Sequence, residues 1–225
     1  MTINIDSVDV LVWGGGTGGA AAAIQAARGG ASTLLLTPGP WLGGMVSAAG
    51  VCCPDGNELS PWQTGLWGAF LRELGQGEPE GLDQNWVSCF GYRPRTAETI
   101  LQNWLHQESR LLWWPCCHLL NVERAGSLIT GLRVEMEGEV RRVKCRVVID
   151  GSDRGDLLPL ADAPFRFGWE PQEQWHEPSA PSQQRLRTEP FFRDQPIQSP
   201  TWVVMGQLLS DQLTDHPQQD VDPSG

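Results

Sequence analysis

Positive charge is scarce in this 225-residue chain: 16 lysines and arginines face 27 aspartates and glutamates, a net charge of −11. An acidic excess of that size disfavours nucleic acid and anionic membrane as partners. Long hydrophobic runs are missing too; none approaches the roughly 20 residues that span a bilayer. The opening residues carry Asp6 and Asp9 and no basic leader region, so a secretory signal is not expected. Soluble and cytoplasmic is the expectation. Cysteine occurs six times, but as the adjacent pairs Cys52–Cys53 and Cys116–Cys117 with Cys89 and Cys145 apart, and never as C-x-x-C. That pattern shows neither a disulfide framework nor a zinc or iron–sulfur run, and no metal site is expected. Free thiols in a reducing compartment are the reading. No internal repeat is present.

What the chain does have is a glycine motif in the right place. The apolar run Val10–Leu11–Val12–Trp13 is followed by Gly14, Gly16 and Gly19, the G-x-G-x-x-G spacing, and then by the alanine-rich stretch Ala20–Arg28. Gly14 permits a tight turn out of a strand, Gly16 keeps side-chain bulk away from a pyrophosphate, and Gly19 lets a helix pack closely on the strand. The amides from Thr17 to Gly19, at the positive end of that helix, would receive the diphosphate, with Gly18 adding no bulk. A glycine-rich run can also be a plain flexible loop. The strand before it, the helix after it and a second strand at Thr33–Thr37 favour the dinucleotide reading. One group is absent: the second strand ends in Thr37, where such folds place an acidic residue for the adenosine ribose. A hydroxyl accepts a weaker bond than a carboxylate.

Further along, apolar spacing predicts helices over Pro61–Leu74 and Pro94–Glu108, with an irregular stretch over 80–92 between them. Leu111–Trp114 reads as a third parallel strand. Residues 119–124, 128–136 and 140–145 alternate apolar and polar, the period of antiparallel strands, and Arg146–Asp150 reads as a return to the parallel sheet. A short helix is expected over Leu157–Ala161, opened by Asp156. Residues 171–200, rich in Gln, Pro, Ser and Glu, read as loop or disorder. Trp202–Met205 reads as one more strand, followed by a short helix from Gly206 to Leu213. Trp62, Trp67, Trp104, Trp113 and Trp114 sit in apolar patterns and are expected in the core.

Two segments carry a resemblance. Trp41–Leu42–Gly43–Gly44–Met45 and Ile149–Asp150–Gly151–Ser152–Asp153–Arg154–Gly155–Asp156–Leu157, together with the glycine motif, resemble the FAD-dependent oxidoreductases of the glutathione-reductase-like class. Within it they resemble the branch related to the flavin subunit of heterodisulfide reductase. Gly151 stands where that family usually has alanine. The resemblance covers about residues 8–170. It implies an α/β fold: a Rossmann-like FAD-binding domain over 1–170, with a parallel sheet and an antiparallel β-meander crossover. It also implies a helical insertion at about 45–92, and a truncated second region over 171–225 that begins an incomplete substrate domain. It implies FAD as cofactor, held by Gly14, Gly16, Thr17, Gly18, Gly19, Thr37, Gly43, Gly44, Met45, a main-chain group near Val122, Ser152 and Asp156. A 4Fe-4S cluster belongs to related branches only and gains no support from these cysteines. The function implied is flavin-mediated electron or hydride transfer on an unidentified small-molecule substrate, with a second chain completing the fold as one expectation. A degenerate nucleotide-binding fragment or partner subunit is the alternative. No catalytic residue is assigned; His118, His176 and Asp156 are the ones to examine.

Overall fold

The computed structural model describes residues 6–55, 64–78, 82–85, 88–197 and 203. A six-stranded sheet organises them, in the order β5-β2-β1-β8-β7-β6. Strands β1 (Ser7–Trp13), β2 (Thr33–Leu36), β5 (Leu111–Trp114) and the second half of β8 (Glu139–Asp150) run parallel. Val10–Trp13 of β1 and Leu34–Leu36 of β2 are apolar without alternation because both faces are covered. Val12 and Leu35 point into a cluster with Ile24 of α1 (Thr17–Arg28), with Phe70 of the insertion and with Trp104 beyond it. Leu11, Trp13, Leu34 and Leu36 point to the opposite side, against Leu132, Val134, Val143 and Leu157.

Helices α2 (Gly65–Gly77) and α3 (Pro94–Gln107) pack on one another beside α1. Pro94 sits in the first turn of α3, where its missing N–H costs nothing. Trp104, 5% exposed, donates its indole N–H to Glu73 Oε1 at 2.6 Å. The α2 helix ends at Gly77, three residues beyond the expected end. Pro61 and Trp62 lie outside the described residues. Between the helices, β3 (Asp83–Asn85) and β4 (Ser88–Gly91) pair antiparallel where the sequence predicts irregular chain.

The meander is present as β6 (His118–Ala125), β7 (Leu128–Met136) and β8. Its last strand corrects the expectation of two separate strands. Residues 139–144 pair antiparallel with β7, and residues 144–150 pair parallel with β1, so one 12-residue strand serves both halves of the sheet. No glycine or proline interrupts Val140–Asp150, and nothing in that run forces a break.

After α4 (Leu157–Leu160), three short helices stand where the composition predicts loop or disorder: α5 (Gln172–Trp175), α6 (Gln183–Thr188) and α7 (Pro190–Asp194). Local chemistry holds them. Ser182 caps α6 by accepting from the Arg185 N–H at 3.3 Å, and Pro190 opens α7. The Trp169 and Phe192 rings meet edge-on at 5.2 Å, and the Arg166 guanidinium lies 4.2 Å from the Trp175 ring centre. The strand expected at 202–205 and the helix after it fall outside the described residues, Val203 apart. Among the described residues no helix is long and apolar enough to cross a membrane.

All six cysteines are free, and burial pushes the Cys52, Cys117 and Cys145 thiols up to about 11. Cys53 and Cys116 add a smaller charge effect on their neighbours. The folded chain therefore keeps protons that the unfolded chain releases from about pH 9, and stability falls as pH rises from there towards 11. Each such thiol weakens the fold by about 1.4 kcal/mol per pH unit in that window. Urea midpoints at pH 8 and pH 10.5 measure this; equal midpoints would contradict it.

Candidate dinucleotide site

Strand β1 has β2 on one side and β8 on the other, so the chain leaves its carboxyl end at the point where the strand order reverses. Open α/β sheets bind ligands at that crevice. Here a cleft of about 250 Å³ lies there, lined by Gly14–Gly16, Thr37–Gly39, Trp41, Gly44, Ala48 and the turn after β8, including Ser152–Arg154 and Asp156.

The glycines divide by what surrounds them. Gly14 has φ +97°, and a Cβ there would sit 2.5 Å from Ser152 N. A Cβ on Gly19 would overlap the Gly14 carbonyl oxygen, and one on Gly151 would sit 2.5 Å from Gly19 Cα. Gly14, Gly19 and Gly151 thus interlock the ends of β1 and β8 with the start of α1. A side chain at position 151 has no room in this interlock. Gly15, to which the motif spacing gives no role, packs on Thr37: its Cβ would lie 2.5 Å from Thr37 Cγ2. Gly16 and Gly18 are different. A Cβ on Gly16 would find Asp153 Oδ1 at 3.4 Å, an ordinary contact, and one on Gly18 would meet nothing within 4 Å.

The second glycine pair docks on the first. Gly43 N–H donates to Gly15 O at 2.7 Å, Thr17 Oγ1 donates to Gly43 O at 2.8 Å, and a Cβ on Gly44 would lie 3.1 Å from Gly16 Cα. Glu98, 8% exposed on α3, holds this segment from behind by accepting from the Leu42 N–H at 3.3 Å. Its place in an amphipathic helix gives no signal of that role. Ser47 Oγ donates to Leu42 O and closes the turn.

Thr37 lines the cleft, but its hydroxyl is engaged: it donates to Gly39 O at 2.7 Å and accepts from Trp113 Nε1 at 3.0 Å. Ser152 is similarly tied, donating through Oγ to Asp150 Oδ1 at 2.6 Å and accepting from Asp156 N–H at 2.8 Å. Asp156 opens α4 from the N-cap position, as expected, but its side chain makes no cap bond. Leu157 N–H donates to Asp150 Oδ2 at 2.9 Å, while Asp156 Oδ2 accepts from the Trp13 indole at 3.1 Å. The indole at the end of β1 draws the Asp156 carboxylate away from the helix end. Met45, 66% exposed, and Val122, buried on β6, do not line the cleft. His118 begins the outer strand β6 and His176 ends α5; neither reaches the cleft, whereas Asp156 does.

The side chains around the cleft carry two carboxylates, Asp153 and Asp156, against one guanidinium, Arg154. An anion held here would rely on main-chain amides and the positive end of α1. That end is open. Its first turn holds no acidic residue, and Gly16 at the N-cap offers no side-chain acceptor.

The family model for FAD dependent oxidoreductases matches residues 9–223. The chain belongs to that family. FAD is the family's cofactor, and the open helix end, the bare Gly16 and Gly18 backbone and Arg154 at the rim fit its linked phosphates. No curated protein matches the chain. Among solved structures, it is similar to a geranylgeranyl bacteriochlorophyll reductase-like protein from Thermoplasma acidophilum. The identity is 20% and the TM-score 0.48, over 70% of this chain and 42% of that one. It is also similar to the myxobacterial chondrochloren halogenase CndH, at 22% identity and a TM-score of 0.44, over 65% and 37%. A third is GidA of Aquifex aeolicus, at 19% and 0.44, over 65% and 25%. The chain thus spans less than half the length of each. Among the described residues no group of three or more His, Cys, Asp or Glu side chains is placed to hold a metal ion.

Proposed function

We propose that this chain binds FAD across the cleft at the end of β1 and that the bound flavin exchanges electrons or hydride with a small-molecule substrate. The observation that carries this is the contrast among the glycines. Gly14, Gly19 and Gly151 hold the backbone shape, while Gly16 and Gly18 leave amides bare at an uncapped helix end. FAD, when bound, supplies the redox chemistry. The protein's own share is to seat the diphosphate on the Thr17–Gly19 amides, with Arg154 closing over it from the turn after β8. Gly44 keeps the facing wall free of side chains. Thr37, its hydroxyl already shared between Trp113 and Gly39, shapes the adenosine end as a rigid wall.

The finer reading places the chain in the branch related to the heterodisulfide reductase flavin subunit, supported by the Trp41–Met45 and Ile149–Leu157 segments. A cytoplasmic location and a second polypeptide that closes the flavin end of the cleft complete the reading. Exposed Met45 and Val51, 66% and 37% accessible, are the apolar surface such a partner would cover. The test is direct. Purified protein mixed with FAD and desalted should retain flavin absorbance at about one equivalent per chain. Folded protein that emerges free of flavin, alone and with any co-purifying chain, would refute the assignment.

A further inference from the structure

A second cavity lies on the other side of the glycine loop, and its chemistry differs from that of the cleft. It measures about 150 Å³ and is walled by all three long helices: Ala21 and Ile24 from α1, Leu66 and Phe70 from α2, and Trp104 from α3, with Val46 from the 3₁₀ turn. Its lining does not overlap that of the cleft, but Thr17, whose amide belongs to the proposed diphosphate seat, stands at its mouth. Among the described residues its lining includes no charged side chain and one hydroxyl, that of Thr17. Thr17 and Trp67, the exposed members of the lining, mark its mouth. The polar edge of Trp104 is already bonded to Glu73. Rings surround the space: Trp67 and Phe70 lie 5.9 Å apart, and Phe70 and Trp104 meet edge-on at 6.2 Å.

The pocket opens to solvent at Thr17 and Trp67, and its hydrocarbon walls offer water few polar partners. Left empty, it forfeits dispersion contacts on every wall. An aromatic ring recovers them, and the edges and faces of Phe70 and Trp104 favour a ring over an aliphatic chain of equal volume. We propose that this cavity is a second ligand site, separate from the dinucleotide cleft, that takes a small apolar aromatic ring. A cavity of about 150 Å³ with aliphatic and aromatic walls is known to hold benzene.

Benzene and fluorobenzene are the probes, used on the full chain. Fluorine NMR of fluorobenzene should show saturable binding at one site per chain. Benzene at ten times its Kd should raise Tm by about 3 °C. Ala21→Leu fills the space and should remove both signals. Ala21→Ser keeps the volume but places a hydroxyl on the wall, and should weaken binding about tenfold; it carries the test if the leucine variant does not fold. Absence of saturable binding by the parent protein, or undiminished binding by both variants, overturns the proposal. Flavin retention measured on the same samples reports on the other site, so failure of one reading is distinguishable from failure of the other.

Discussion

Asparagine at position 16 leaves the protein folded and lowers its affinity for FAD by at least about 100-fold, a loss of roughly 3 kcal/mol. Both halves of this expectation follow from geometry. Gly16 has φ −61° and ψ −179°, an extended conformation open to any residue. A Cβ there meets only ordinary contacts, with Asp153 Oδ1 at 3.4 Å and Gly151 O at 3.5 Å. Asparagine is also among the best N-cap residues, so the start of α1 should lose nothing. The new side chain, however, lies in the cleft and draws on the same free amides that would meet a phosphate. A thermal melt within about 2 °C of the parent, with flavin lost on desalting, is the expected pair of results. Flavin uptake equal to that of the parent protein would show that the phosphates sit elsewhere.

Gly19→Ala acts on the fold itself. In an isolated helix the change would be favourable by about 1 kcal/mol. Here the added methyl overlaps the Gly14 carbonyl oxygen and lies 3.0 Å from the Gly14 carbonyl carbon. Those are backbone atoms at the end of β1, held in turn against Gly151 and Ser152, and none can rotate aside. Overpacking of this kind costs about 1–3 kcal/mol in yielding cores and more where backbone must move. The expected net loss is at least about 3 kcal/mol, or a Tm lower by roughly 10 °C for a chain of this length. Gly18→Ala is the control: its methyl meets nothing within 4 Å, and the helix gains propensity. Calorimetry of the pair decides the matter. A Gly19→Ala protein melting alongside the Gly18→Ala protein would mean that the three-glycine interlock is not what joins β1, α1 and β8.

Much of the architecture is legible in the sequence. Val10–Trp13, the glycine spacing and Ala20–Arg28 specify a strand, a turn and a helix through interactions a few residues apart. The alternation over 119–145 specifies antiparallel strands in the same way. The misreadings have a common cause. Residues 140–150 read as two strands because they serve two partners, which only the sheet order brings to opposite edges. Residues 171–200 read as loop or disorder because composition hides individual caps such as Ser182 and ring contacts such as that of Trp169 with Phe192. In the site, spacing names Gly14, Gly16 and Gly19 but misses Gly15, Gly151 and Glu98, whose roles depend on neighbours far along the chain.

That a strand passes through glycines into a helix is written in the chain's first thirty or so residues, because turn and helix geometry are properties of the local backbone. Which glycines hold the fold and which leave the cleft open is a matter of packing. One short run puts Gly14 and Gly19 against the end of β8, more than 130 residues away, gives Gly16 only ordinary contacts and leaves Gly18 with nothing within 4 Å. Contacts between distant segments are set by strand order and packing, and no period in the sequence encodes them.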